Sequence, residues 1–311
     1  MMKRALVVGI NDYSGFDPSG KSNLSCCVSD ANSMMDLLVS AFLFDAGESV
    51  LLTDSSASSE SIASALKEML NKSEAGDVAC FYYSGHGSRT AADSSQADCD
   101  KFYESIIPVS GPAITDRDLF NIADMLQPSF VEFTAILDSC HSGGMDQETD
   151  AVVKCKSPIL PNDLLQQMVN FLRTLVPCGI LIPTDSDACD GNVTSVSDSG
   201  GVASAEEDPD RAFIDQAKTT LVAGCRFNEL SWETGGHGLL TKAFLNTVNA
   251  SNFQITYNEL LDQLRTSVTT DFTALIAPTL SSSLPQSQTP QLRGQRNRMD
   301  QGFLQGFVDS R

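Results

Sequence analysis

The chain has 311 residues, and 41% of them are hydrophobic, a normal globular value that excludes wholesale disorder. Its 40 acidic and 20 basic residues give a net charge of −20, which argues against binding to nucleic acid or to an anionic membrane. No apolar run approaches the roughly 20 residues that a membrane-spanning helix needs.

The first half of the chain alternates predicted strands and helices. Ser59 is the expected N-cap of the second helix. In chain order, the predictions are a strand at 4–10, a helix at 29–42, a strand at 49–52, a helix at 59–70, a strand at 77–83, a helix at 115–127 and a strand at 131–137. This βαβ alternation predicts a mainly parallel sheet with helices on both faces.

The second half is less regular. Residues 183–210 combine Ser, Gly and acidic residues with few large apolar ones, which is typical of a linker. Around it, the pattern predicts a helix at 160–176, a strand at 219–224, helices at 238–248 and 257–268, and extended or irregular chain at 281–298. We therefore expect one domain made of a large part (1–182), an acidic linker (183–210) and a small part (211–311).

The nine cysteines indicate a reducing location. Their number is odd, no CxxC pair occurs, and the chain is too long for a small disulfide framework. The start of the chain, MMKRALVVGINDY, lacks a small-residue cleavage site and is interpreted as a buried strand rather than a signal peptide. The expected location is cytoplasmic.

Two glycine-flanked motifs each follow a predicted strand. YYSGHG contains His86 and Gly87, and DSCHSGG contains Asp138 and Cys140. Because ligands bind at the carboxyl edge of open α/β sheets, we expect His86 to face Cys140 there. A thiolate is a strong nucleophile, and an imidazole can generate it and then protonate a leaving amine. The backbone N–H groups of Gly87 and Cys140 are the expected oxyanion donors.

Other interpretations of these residues are weaker. Zinc binding by His86, Cys140 and His141 lacks an evident fourth ligand, and adjacent Cys and His chelate poorly. A nucleotide site would need a GxGxxG or GxxxxGK motif, and the chain has neither.

YSGHG and DSCHSGG resemble the catalytic His and Cys motifs of metacaspases and of the related prokaryotic caspase-like peptidases, the orthocaspases. KRALVVGIND resembles the opening strand of that family, and the resemblance extends over most of the chain. It implies a caspase-like three-layer αβα sandwich with a mainly parallel central sheet. It also implies a Cys–His endopeptidase that cleaves proteins or peptides after Arg or Lys, without an organic cofactor and as a monomer.

The resemblance also assigns a first specificity pocket. Asp30 and Asp138 match its acidic positions, and Cys27 and Ser84 line it. Two carboxylates in a partly dry pocket favour a guanidinium that satisfies both. Asp30 also fits a simpler role, as an acid that stabilises the start of a helix.

Many members of that family need calcium, which aspartates bind. Asp116 matches one such position, Asp98 and Asp100 lie in the loop upstream, and Asp146 is displaced by one from another. Arg117 replaces an acid, and a lost oxygen ligand should weaken the site. Asp116 has the alternative role of a helix-start acid.

Self-cleavage is a further hypothesis, because basic residues near a mobile linker suit the enzyme's own pocket. The candidate sites are Lys154, Lys156, Arg173, Arg211 and Lys218. The alternative from a different class is a non-catalytic caspase-like scaffold or adaptor, which would not need both His86 and Cys140.

Overall fold

The computed structural model describes residues 1–15, 17–91, 102–126, 131–140, 153–157, 219–226, 229–281 and 284–306. The predicted helix at 160–176 and the linker at 183–210 lie outside the described residues, so the division into two parts stays a prediction. No helix in these described ranges is long and apolar enough to cross a bilayer.

Twelve strands are described. In chain order they are β1 (Lys3–Gly9), β2 (Val50–Thr53), β3 (Val78–Ser84), β4 (Gly87–Ala91), β5 (Phe102–Ile106), β6 (Ile114–Thr115), β7 (Glu132–Asp138), β8 (Val153–Cys155), β9 (Thr219–Ala223), β10 (Trp232–Thr234), β11 (His237–Gly238) and β12 (Gln291–Arg293). The central sheet has the order β12-β9-β7-β3-β1-β2. All its pairings are parallel except that of β12 with β9, which confirms the predicted mainly parallel sheet.

The helices are α1 (Cys27–Ser40), α2 (Ser59–Asn71), α3 (Asp116–Leu126), α4 (Leu239–Ala250), α5 (Tyr257–Asp271) and α6 (Arg296–Met299). Short non-α turns lie at Asp54–Ser56, Phe272–Ile276 and Ala277–Thr279.

The core consists of two hydrophobic layers, one on each face of the central sheet. Cys80 and Tyr82 of β3 pack with α1, α4 and α5, whereas Phe81 and Tyr83 pack with α2 and α3. Successive side chains of a strand point to opposite faces, so a strand covered on both sides is apolar throughout. The predicted three-layer arrangement is thereby confirmed.

One local prediction was wrong, and another held only in part. The N-cap of α2 is Ser58 and not Ser59, because the extended Ser58 accepts a hydrogen bond from the Ser61 N–H, while the Ser59 N–H donates to the Ser110 carbonyl. The segment 281–298, expected to be extended or irregular, contains the extended strand β12, which completes the sheet edge beside β9, and also the start of the short helix α6, which was not predicted.

Two small sheets lie next to the carboxyl ends of the central strands. Their orders are β4-β5-β6 and β11-β10-β8. β4 begins at Gly87, three residues after the end of β3, and Trp232 of β10 is the register partner of Cys155 in β8. These strands have two to five residues each, too few for a periodic sequence signal.

Candidate active site

His86 lies in the loop between β3 and β4, where two tyrosines hold it. The Tyr13 hydroxyl accepts a hydrogen bond from the His86 N–H at 2.8 Å, and the Tyr83 hydroxyl donates to the His86 carbonyl at 2.8 Å. The rings of Tyr13 and His86 are in contact, with centroids 4.3 Å apart. The two tyrosine hydroxyls thus fix the backbone of His86, and the Tyr13 ring packs against its imidazole.

The imidazole of His86 is buried and neutral. Burial, together with the nearby charges of Lys156 and Lys154, lowers its pKa to about 4. Nε2 lies 2.5 Å from the Ser22 carbonyl, which can only accept, so Nε2 carries the hydrogen. Nδ1 then holds the lone pair and has no hydrogen-bond partner among the described residues, although the Lys156 backbone is close enough to the ring to raise its pKa and so partly offset burial. Ser22 thus orients the ring and leaves Nδ1 as the basic atom.

Cys140 follows β7, and its side chain points to the chain just before β10. Its sulfur accepts a hydrogen bond from the Ser231 N–H at 3.0 Å and donates to the Ser231 carbonyl at 3.3 Å. The Cys155 sulfur lies 3.5 Å away. Burial, and next the Cys155 thiol, raise the pKa of Cys140 well above its usual value, so it is a neutral thiol in this arrangement.

His86 and Cys140 are neighbours in the fold without being paired. Gly87 packs so closely on the Cys140 carbonyl that any side chain at position 87 would collide with it. Among the hydrogen bonds of the described residues, however, none joins His86 to Cys140. The two motifs therefore meet at the predicted sheet edge, while the sulfur is turned towards Ser231.

Asp30, Ser84 and Asp138 form a buried acidic pocket, and Lys156 fills it. The Lys156 ammonium lies 3.1 Å from Asp138 Oδ2 and 3.4 Å from Asp30 Oδ2, and it donates to Ser84 Oγ at 2.9 Å. All four side chains are fully buried. Although burial lowers the pKa of Lys156, the carboxylates of Asp138 and Asp30 outweigh it, so the pKa rises well above its usual value.

The remaining oxygens of the acidic pocket accept hydrogen bonds from the second half of the chain. Asp138 accepts from the hydroxyl of Ser231 at 2.9 Å and from the N–H and hydroxyl of Thr241 at 3.1 and 2.6 Å. His237 Nδ1 lies 2.8 Å from Asp30 Oδ1. That hydrogen bond raises the pKa of His237. Both carboxylates are thus held in place by donors.

Asp30 reaches the pocket because α1 starts against the end of β1. A side chain at Gly9 would collide with the Cys27 carbonyl, so the close approach requires glycine there. Burial raises the pKa of Asp30, but the Lys156 charge and the His237 and Gly238 hydrogen bonds outweigh it, and the net pKa is lowered. Asp30 is therefore an ionised ligand of Lys156, which goes beyond a helix-start role.

The backbone of residues 153–157, here called the inserted segment, lies across the sheet edge. β8 pairs antiparallel with β10, and the Lys156 N–H donates to the Ser231 carbonyl at 2.9 Å. The Lys156 carbonyl accepts a hydrogen bond from the Gly87 N–H at 3.0 Å. An extended strand thus places a lysine side chain in the acidic pocket and its carbonyl on the predicted oxyanion donor.

Cys27 lies beside the acidic pocket. Its thiol donates to Glu233 Oε2 at 3.6 Å, and Glu233 also accepts from the N–H groups of Ser25 and Cys26. Burial raises the pKa of Glu233, partly offset by the Lys156 charge. The sequence did not indicate Glu233, Ser231, Thr241 or His237 as site residues, because each lies 93 or more positions from the side chain that it contacts.

The candidate calcium ligands are described only in part. Asp98, Asp100 and Asp146 lie outside the described residues. Asp116 begins α3, and burial, with nearby Glu104 as a smaller cause, raises its pKa to about 6. Within the described ranges, no group of three or more His, Cys, Asp or Glu residues is arranged to hold a metal ion.

Among the candidate self-cleavage residues, Lys156 alone is seen in the acidic pocket within the described part of the chain. Lys154 instead donates to the Asn23 carbonyl at 2.9 Å. Arg173, Arg211 and Lys218 lie outside the described residues.

Comparisons with known proteins agree with this fold and these motifs. The profile of the caspase domain, Peptidase_C14, matches residues 2–299. The chain is 36% identical over 153 residues to Metacaspase-4 of Arabidopsis thaliana, an alignment that covers 48% of this chain and 35% of that protein. It is 25% identical over 302 residues to Metacaspase-1 of Schizosaccharomyces pombe, covering 91% and 68%.

The chain thus spans about a third of the length of the Arabidopsis relative. A crystal structure of Caspase-1 from Spodoptera frugiperda superposes with a TM-score of 0.52 at 13% identity, covering 94% of this chain and 84% of that one. This likeness confirms the predicted caspase-like fold.

Proposed function

The chain belongs to the caspase-domain family, and on that premise we propose that it is a cysteine endopeptidase that cleaves peptide bonds after Arg or Lys. One observation supports the specificity above all: the Lys156 ammonium lies between the carboxylates of Asp30 and Asp138. A pocket that accommodates a lysine of its own chain is chemically suited to a basic residue of a protein or peptide substrate. A substrate with an acidic residue at this position would place a third carboxylate beside those of Asp30 and Asp138, with no cation to balance their charges.

The proposed reaction is acyl transfer to Cys140. The substrate carbonyl takes the place of the Lys156 carbonyl and accepts from the Gly87 N–H, with the Cys140 N–H as the second expected donor. Cys140 turns from Ser231 towards this carbonyl, and His86 Nδ1 takes the thiol proton as the S–C bond forms. The same proton passes to the leaving amine as the C–N bond breaks, and water then releases the acyl group.

We propose that the chain also cleaves itself, between Lys156 and Ser157. The inserted segment already has the lysine in the acidic pocket and its carbonyl on Gly87. Attack on this carbonyl requires the Cys140 side chain to turn away from Ser231, which now binds its sulfur. Until then the segment occupies the cleft and excludes other substrates.

Hydrolysis of fluorogenic peptides that differ only in Arg, Lys, Asp or Asn before the cleaved bond tests the specificity. We expect turnover of the Arg and Lys peptides alone, and none from Cys140→Ala. Hydrolysis of the Asp or Asn peptides would contradict the assignment of the acidic pocket. Absence of turnover on all four, at any calcium concentration, would favour the scaffold.

We propose that calcium activates the enzyme, with Asp116 as one ligand. Burial is the main cause of the raised pKa of Asp116, and the charges of Glu104 and Asp118 add to it; a bound divalent cation would stabilise the ionised carboxylate. Asp116→Asn should require more calcium for half-maximal activity, with magnesium as the control cation.

Because the carboxylate must be ionised to bind, the wild type should also require more calcium as the pH falls through about 6. Equal activity in calcium and in chelator would refute the proposal.

We further propose that the enzyme acts as a monomer in the cytoplasm. The six cysteines that the structure describes are all free thiols, which supports a reducing location. Light scattering of the purified chain measures its oligomeric state.

A further inference from the structure

Two thiols meet inside the candidate active site. The sulfurs of Cys140 and Cys155 are 3.5 Å apart. Pairing of β8 with β10 holds Cys155 opposite Trp232, and Ser231, directly before Trp232, binds the Cys140 sulfur through its N–H and carbonyl. Both sulfurs are thus anchored to one stretch of backbone. A disulfide needs about 2.05 Å, so the gap to close is about 1.5 Å.

We propose that a hydroperoxide converts Cys140 and Cys155 into a reversible disulfide that switches off the nucleophile. The bond itself depends only on the two thiols and their contact. Its effect on activity rests on the proposed peptidase function.

The two cysteines differ in access, which sets the order of the steps. Cys155 is partly exposed, whereas Cys140 is fully buried. The Cys155 thiol loses its proton and attacks hydrogen peroxide, the O–O bond breaks, and the sulfur becomes a sulfenic acid while the other oxygen leaves as hydroxide and takes up that proton to form water. Cys140 then attacks that sulfur, the S–S bond forms, and the hydroxyl departs with the Cys140 proton as a second water. The two thiols lose two electrons, and the peroxide gains them.

The raised pKa of the Cys140 thiol supports this order, because a neutral thiol reacts slowly with peroxide. The disulfide also protects the nucleophile, since a sulfur in a disulfide does not proceed to the irreversible sulfinic acid. Oxidation would therefore convert the enzyme into an inactive disulfide form that reduction can reactivate.

The bond would also hold the inserted segment in the cleft. Cys155 directly precedes Lys156, whose ammonium fills the acidic pocket. Cys140 and Cys155 both lie on the amino-terminal side of the Lys156–Ser157 bond, so cleavage there would leave the disulfide intact. In the oxidised enzyme, the Cys140 sulfur would be bonded to Cys155, and the Lys156 side chain would remain in the acidic pocket.

The test uses the full chain, purified under reducing conditions and treated with hydrogen peroxide. Free thiols are alkylated, and a peptic digest at acidic pH is analysed by mass spectrometry without reduction. We expect a cross-linked peptide pair that contains Cys140 and Cys155, together with a loss of peptidase activity that a dithiol reductant reverses. Cys26→Ser, which removes a different buried thiol, should give the same cross-link.

Cys155→Ser should form no cross-link, and because the buried, neutral Cys140 thiol reacts slowly with peroxide, this variant should lose activity more slowly than the wild type. Alkylation of Cys155 in the oxidised wild type, as complete as in the reduced one, would overturn the proposal. Inactivation of Cys155→Ser as fast as that of the wild type would overturn it too. A cross-link in a chain that cleaves no peptide when reduced would support the disulfide and refute the peptidase function.

Discussion

Asp138→Asn is expected to lower kcat/KM for Arg and Lys peptides roughly a thousandfold, since removing one member of a buried charge pair costs about 4 kcal/mol. The Asp138 side chain faces donors on every side: the Lys156 ammonium, the Ser231 hydroxyl, and the N–H and hydroxyl of Thr241. An asparagine would turn its NH₂ group towards one of them in either orientation. The substitution therefore removes the negative charge and also places a hydrogen-bond donor against another donor.

Steady-state kinetics with Arg and Lys peptides measure this effect, and Asp36→Asn is the matched control. Asp36 is an exposed acid of α1, so the substitution makes the same change in charge away from the acidic pocket. If Asp138→Asn retained the wild-type kcat/KM, Asp138 would not determine the specificity for Arg and Lys. Circular dichroism of each variant separates a pocket defect from an unfolded chain.

Lys156→Met is expected to abolish self-cleavage at position 156 and to lower the free energy of unfolding by about 3 kcal/mol. Methionine keeps the length of the side chain but leaves Asp30 and Asp138 facing each other without the cation that joins them. Lys156→Arg retains a cation of suitable reach and should still be cut. Once the lysine is gone, the inserted segment holds the cleft less firmly, and cleavage of added peptides should start without a lag.

Two measurements check the prediction for Lys156. Intact mass spectrometry follows cleavage in the active chain. Urea unfolding is measured in a Cys140→Ala background, so that cleavage cannot change the species under study. Equal unfolding free energies for Lys156→Met and for the chain that keeps Lys156 would show that the ammonium adds no stability. Cleavage of Lys156→Met after position 156 would exclude the acidic pocket as the reason for cutting there.

The sheet and its buried strands were predictable because their sequence pattern is strong. β1, β3 and β7 are seven-residue strands buried along their whole length, and such apolar runs with helical periodicity between them indicate a parallel sheet. The placement of His86 and Cys140 was predictable for the same reason. Glycine-rich motifs directly after two such strands lie at one edge of the sheet, and they meet there because β3 and β7 are neighbours.

The partners of the acidic pocket were not predictable in this way. β8 has three residues, and VKC carries no periodic signal. Lys156 was one of five candidate cleavage sites, and no property of the sequence separated it from Lys154. His237 and Thr241 reach Asp30 and Asp138 only because β11 and α4 pack against α1 and the sheet, a contact between chain segments that a local pattern does not record.

The pairing of β8 with β10 makes the inserted segment a tethered ligand of its own cleft. Such a ligand competes at an effective concentration of about millimolar, whatever the amount of enzyme present. Dilution cannot relieve this block, and a free substrate overcomes it only by being more abundant or tighter-binding. In the proposed peptidase, the threshold for activity would therefore be set by how firmly this short strand is held, and any event that weakens its pairing would lower the apparent KM for all substrates together.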